Sequence, residues 1–81
     1  MKILKFTAAN CPPCKLLDDA LKSIDPDVPI ITYNAATDMG RFEKHGVTDV
    51  PVLIMTIQNR PIKRLDGFIN EENLKQWLNL W

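Results

Sequence analysis

The stretch AANCPPCKLL (residues 8–17) holds both cysteines of the chain, Cys11 and Cys14, with Pro12 and Pro13 between them. Such a pair can be a staple, half of a metal site, or a dithiol that makes and breaks a disulfide. A bridge across so short a loop removes little entropy from the unfolded chain, and small disulfide-held domains carry several such pairs. A tetrahedral zinc site takes two such pairs, or one pair with two histidines, and this chain has a single histidine, His45. A C-x-x-C at a strand-to-helix turn in a βαβ setting points instead to thiol–disulfide exchange.

The flanks supply that setting. KILKFT (residues 2–7) has the nearly continuous apolar character of an interior strand, interrupted by Lys5. After the cysteines, Leu17, Ala20, Leu21 and Ile24 recur at helical spacing with Asp18, Asp19 and Lys22 between them, an amphipathic helix ending before Pro26. VPIITYN (28–34) reads as a second strand, and Thr37 or Asp38 can cap a helix reaching about His45, with Gly46 as its stop. PVLIMTI (51–57) and PIKRLDG (61–67) are strand-like runs separated by Gln58-Asn59-Arg60, a hairpin distance, and should pair antiparallel. Asn70 is a good N-cap, Glu71 and Glu72 suit the positive end of a helix dipole, and Leu74, Trp77, Leu78 and Trp81 follow at helical spacing. The order β-α-β-α-β-β-α predicts an α/β fold: one domain over residues 1–81, a four-stranded mixed sheet with three helices on its faces.

A chain of 81 residues can bury one modest core and little else. Its ten basic residues balance its ten acidic ones, so bulk charge draws it neither to nucleic acid nor to anionic lipid. No apolar run approaches the ~18 residues of a membrane span, and the start MKILKFTAAN is too short in its apolar part for a signal peptide. A cytoplasmic monomer is expected.

Position gives the two cysteines different chemistry. Cys11 lies at or just before a helix start, where unpaired N–H groups and the positive dipole end favour a thiolate. One turn on, Cys14 comes back beneath it, placed to attack a mixed disulfide on Cys11 and release the reduced partner. Cys11 is the expected nucleophile and Cys14 the resolving thiol. Pro12 and Pro13 remove two potential donors near Cys11, and Pro13 disfavours an α conformation at Pro12, which places the regular helix start nearer residue 13. Two prolines at a helix start are also common for purely structural reasons.

On these residues the chain resembles the thioredoxin and glutaredoxin superfamily, and the likeness runs through nearly the whole chain in the expected order. Thioredoxins carry W-C-G-P-C where this chain has NCPPC; glutaredoxins usually carry C-P-Y-C. TDVPVLI (48–54) is similar to the family's cis-proline loop. The resemblance implies that Pro51 faces the cysteines and that the Val50 backbone pairs with an extended segment of the client, a β-augmentation mode. A trans proline at the first residue of a strand is the other reading. Gly67, in LDGFINEENLKQWL, matches the glycine that lets a partner's backbone approach; a turn would suit glycine equally. Gly67-Phe68 is also similar to the glutaredoxin-like hydrogen donors of ribonucleotide reductase.

The chain departs from the pattern in three places. Asn10 replaces the tryptophan before the first cysteine, and Lys5 stands where thioredoxins bury an aspartate. Lys5 either snorkels out of the sheet edge or supplies a nearby cation that favours thiolate. Thr7-Ala8-Ala9 and Asp66-Gly67-Phe68 stand where glutaredoxins keep their glutathione ligands. The resemblance therefore implies a protein disulfide reductase that needs no bound cofactor and acts on disulfide-containing clients. Its implied electron source is an NADPH-dependent thioredoxin reductase. A glutathione-dependent glutaredoxin and a non-catalytic thioredoxin-fold binding module are the alternatives. Trp77, Trp81, Phe42, Met39 and Met55 read as core or rim residues, and His45 as a residue placed favourably at a helix C-terminus.

Overall fold

VLIMTI is apolar at every position but Thr56, and a run of that kind suits a strand covered on both faces. A computed structural model of the chain, describing residues 1–68 and 70–78, places it so. The elements are β1 (Lys2–Thr7), α1 (Pro12–Ile24), β2 (Ile30–Asn34), α2 (Met39–Lys44), β3 (Val52–Ile57), β4 (Arg60–Asp66) and α3 (Glu71–Leu78). The sheet order is β2-β1-β3-β4, with β1 parallel to β2 and antiparallel to β3, and β4 antiparallel to β3. This is the expected mixed sheet.

Alternation along the two central strands divides the core. Ile3, Leu53 and Met55 meet Leu17, Ala20 and Leu21 of α1 and Leu74 of α3 on one face. Leu4, Phe6, Val52 and Ile54 meet Phe42 of α2 and Val47 on the other. Lys5 shares the parity of Ile3, so it falls on the α1 side. The edge strand β4 carries Pro61, Lys63 and Arg64, residues that discourage further strand pairing. Lys63 donates to the Trp77 carbonyl and lies 4.8 Å from that ring's centroid, tying β4 to α3.

Several expectations shift in detail. Helix α1 begins at Pro12, with Cys11 rather than Pro12 as the extended residue (φ −119°, ψ 96°). Proline is tolerated in the first helical turn, and the restriction that Pro12 places on the residue before it falls on Cys11, whereas Pro12 is helical despite Pro13. The hairpin loop has two residues, not three: Gln58 and Asn59 both take positive φ (52° and 67°), and Arg60 joins β4. That geometry matches the right-handed strand twist. Asp38 occupies the N-cap of α2, but its side chain accepts from the Asn34 N–H and the Thr37 hydroxyl instead of capping the helix. Asn70 caps α3 as expected, its side chain accepting from the Asn73 N–H at 2.8 Å. Phe42 and Met55 are buried and Trp77 half-buried, whereas Met39 is exposed on the first turn of α2; Trp81 lies outside the described residues.

Candidate active site

The chain leaves β1 at Thr7 and turns through Ala8–Asn10, where Asn10 takes a left-handed conformation (φ 55°), a region asparagine visits at little cost. The turn delivers Cys11 to the N-cap of α1. Pro12 and Pro13 fill the first two helical positions, so the first available donor is the Cys14 N–H, and it donates to Cys11 Sγ at 3.2 Å. The Lys15 N–H donates to the Cys11 carbonyl at 3.1 Å. The prolines thus leave a single amide aimed at the sulfur, a contact that favours thiolate when the pair is reduced.

Cys11 and Cys14 are joined as a disulfide with Cα atoms 5.2 Å apart. Their surroundings differ: Cys14 is 3 % exposed, while Cys11 is half-buried at the rim of an open groove shared with Asn10, Pro12, Lys15 and Asp18.

The second segment at this end of the sheet precedes β3. The Val50–Pro51 bond is cis, Pro51 is buried, and Val50 packs against the core on the α2 side. Register places the bond. Phe6 pairs with Val52, and Val52 with Asp66, so Pro51 lies level with the end of β1 and with Gly67. The Gly67 N–H donates to the Pro51 carbonyl at 2.7 Å. Gly67 has φ 82°, and a Cβ there would meet nothing within 4 Å, so backbone conformation rather than crowding inside the chain calls for glycine.

Lys5 lies beneath α1, its side chain 14 % exposed, with Nζ bonded to Asp18 Oδ1 at 2.5 Å. It does not run free to solvent. Asp18 is a residue the sequence reading passed over as part of a polar helix face. Two signals marked it: the spacing Cys14 to Asp18 is one helical turn, and Lys5 faces α1 by strand parity.

His45 is half-buried at the C-cap of α2, its ring 5.7 Å from that of Phe6. Burial foremost, then the cations of Lys44, Arg41 and Arg64, holds its pKa below the usual imidazole value. The favourable dipole interaction expected of a charged histidine is thus outweighed by burial and by neighbouring cations.

The profile of the thioredoxin family matches residues 1–80. The chain belongs to the thioredoxin family. The thioredoxin of Chlamydia caviae is 26 % identical over 80 residues, covering 95 % of this chain and 78 % of that protein. The thioredoxin of Staphylococcus epidermidis is 26 % identical over 83 residues, covering 98 % and 80 %. Among solved structures, thioredoxin from Trypanosoma brucei brucei superposes with a TM-score of 0.83 at 25 % identity, covering 95 % of this chain and 70 % of that one. Trxlp from Edwardsiella tarda superposes at 0.85 with 20 % identity, covering 94 % and 79 %. A member of this family with its cysteine pair joined as a disulfide is a thiol–disulfide oxidoreductase.

Proposed function

We propose that this thioredoxin-family protein reduces disulfides of client proteins through the Cys-Pro-Pro-Cys dithiol, with Cys11 attacking and Cys14 resolving. The observation that carries this reading is the inequality of the two sulfurs: Cys11 at a helix N-cap and a groove rim, Cys14 buried beneath it. The Cys11 thiolate attacks one client sulfur; a Cys11–client bond forms as the client S–S bond breaks, and the released sulfur takes a proton from solvent. Cys14 then gives up its proton and attacks Cys11 Sγ, closing the Cys11–Cys14 bond and expelling the second client thiol. An electron pair has moved from the dithiol to the client.

Val50, Pro51 and Gly67 frame the groove in which an extended client segment lies, by strand-like backbone pairing at Val50. Pro12 lines the groove beside Cys11, and Pro13 follows it on the exposed first turn of α1, where both meet the client. The Lys5–Asp18 pair, one turn below Cys14, sets the local field around the resolving thiol. An NADPH-dependent thioredoxin reductase restores the dithiol, and ribonucleotide reductase is one client of suitable chemistry. The whole chain acts as one monomeric domain in the cytoplasm, where the thiol pool keeps such pairs reduced.

Insulin reduction tests this function. Turnover is expected with NADPH and thioredoxin reductase and is expected to be slow with glutathione. Turnover by glutathione alone would mark a glutaredoxin, and none with either reductant would mark a binding module.

A further inference from the structure

At the end of the sheet away from the cysteines, on the α2 face, a cavity of about 480 Å³ opens between α2, the start of β1 and the β3–β4 hairpin. This is within the ~300–1,000 Å³ range of small-molecule sites. Lys2, Arg41, Lys44 and His45 line it together with Tyr33 and Asn59, and no carboxylate of the described residues does. In a chain whose cations and acids balance overall, that is a marked separation of charge.

Among the described residues these cations have no acid of their own: the ion pairs there join Lys5 to Asp18, Arg64 to Asp66 and Lys75 to Glu71, and Lys2, Arg41 and Lys44 enter none of them. The Arg41 guanidinium lies 5.5 Å from the Tyr33 ring centroid, a cation–π contact that holds its donors at the wall. Behind the cavity, Arg64 donates to the carbonyls of His45 (2.8 Å) and Gly46 (3.3 Å), fixing the end of α2. Burial foremost, and then the charges of Lys44, Arg41 and Arg64, which converge on the half-buried imidazole, hold its pKa down. Arg41 and Lys44 could be explained as complements to the C-terminal dipole of α2. Lys2 comes from β1 and Asn59 from the hairpin, and that explanation does not reach them.

We propose that this cavity binds a small phosphate-bearing anion. Arg41, Lys44 and Lys2 supply charge-assisted hydrogen bonds to the phosphoryl oxygens. The Asn59 amide, the Tyr33 hydroxyl and the His45 ring add donor capacity. Bound anion adds negative charge opposite the Lys44, Arg41 and Arg64 cations that face His45, so occupancy raises the imidazole pKa.

The test is an NMR titration of the ¹⁵N-labelled protein at constant ionic strength, with pyrophosphate in one arm, ADP in a second and chloride as the control. Saturable shifts at the Arg41, Lys44, His45 and Asn59 amides are expected, with an upward move of the His45 titration. Stronger binding of pyrophosphate assigns the site to inorganic phosphate, and stronger binding of ADP to a phosphate ester. Arg41→Gln with Lys44→Gln should weaken binding at least about tenfold and leave insulin reduction unchanged, while Arg41→Lys with Lys44→Arg should bind as the native chain does. Equal shifts with chloride, no saturation at millimolar anion, or undiminished binding by the charge-neutral variant would overturn the proposal.

Discussion

Unusual backbone occurs at both ends of the sheet, and the two ends use it differently. At the hairpin end, Gln58 and Asn59 take positive φ side by side, and this backbone reverses the chain between two adjacent strands. At the cysteine end, the unusual residues come from three separate segments: Asn10 before α1, the cis Val50–Pro51 bond before β3, and Gly67 after β4. No local turn requires all three, yet the register brings Pro51 and Gly67 level with the end of β1, from which the turn at Asn10 departs, and the Gly67 N–H closes on the Pro51 carbonyl. Irregularity that serves connection is local. Irregularity gathered from distant segments marks a site.

Substitutions at the two ends should have different consequences. The largest expected effect is on turnover: Cys11→Ser should abolish insulin reduction, while changes in the hairpin should leave it at the native rate. Stability separates the two ends next. Gly67→Ala places a side chain at φ 82° and should cost about 1–2 kcal/mol, lowering the melting temperature by roughly 4–8 °C per kcal/mol and slowing client reduction. Gln58→Asn with Asn59→Gly supplies the residues such a turn prefers and should add about 0.5–1 kcal/mol, with activity unchanged. Loss of activity in the hairpin variant would erase the distinction between the ends.

The partly buried Lys5–Asp18 ion pair gives a smaller effect. Lys5→Met leaves the Asp18 carboxylate without its partner and should cost about 1 kcal/mol, since Asp18 retains some contact with solvent. Lys5→Met and Asp18→Asn should move the pH midpoint of Cys alkylation in opposite directions: later without the cation, earlier without the carboxylate. Identical profiles would reduce the pair to a structural clamp between β1 and α1.

The smallest effect belongs to His45, whose pKa is lowered by burial first and by Lys44, Arg41 and Arg64 after it. The unfolded chain binds that proton more readily than the folded one. The histidine's contribution is therefore complete above the unfolded value near ~6.5 and is lost as pH falls through it toward the lower folded value. Melting curves between pH 7.5 and 5.5 should show a steeper decline for the native chain than for His45→Gln.

Much of this was legible in the sequence, and for a definite reason. Strand and helix periodicities are local, so element order, the antiparallel β3–β4 pair and the strand-to-helix position of the cysteines could all be read directly. What escaped reading depended on partners far along the chain or on unmarked turns. Lys5 interrupts a strand visibly, but its pairing with Asp18 spans two elements. Gln58-Asn59 lacks the Asn-Gly signature of its turn, so the loop read one residue too long. Asp38 looks like a helix cap, yet the Asn34 N–H and Thr37 hydroxyl compete for its carboxylate. Met39 fits an apolar face by spacing, but α2 is a short helix whose first turn reaches past the core.

Trapping measures the division of labour between Cys11 and Cys14. Each cysteine is changed to serine in turn, the reduced variant is mixed with oxidised client, and mixed disulfides are counted by intact-mass spectrometry. Cys14→Ser should accumulate client on Cys11, because the thiol at the groove rim still attacks and nothing resolves the adduct, whereas Cys11→Ser should accumulate almost none. Equal trapping by the two variants, or trapping on Cys14 alone, would contradict the assignment.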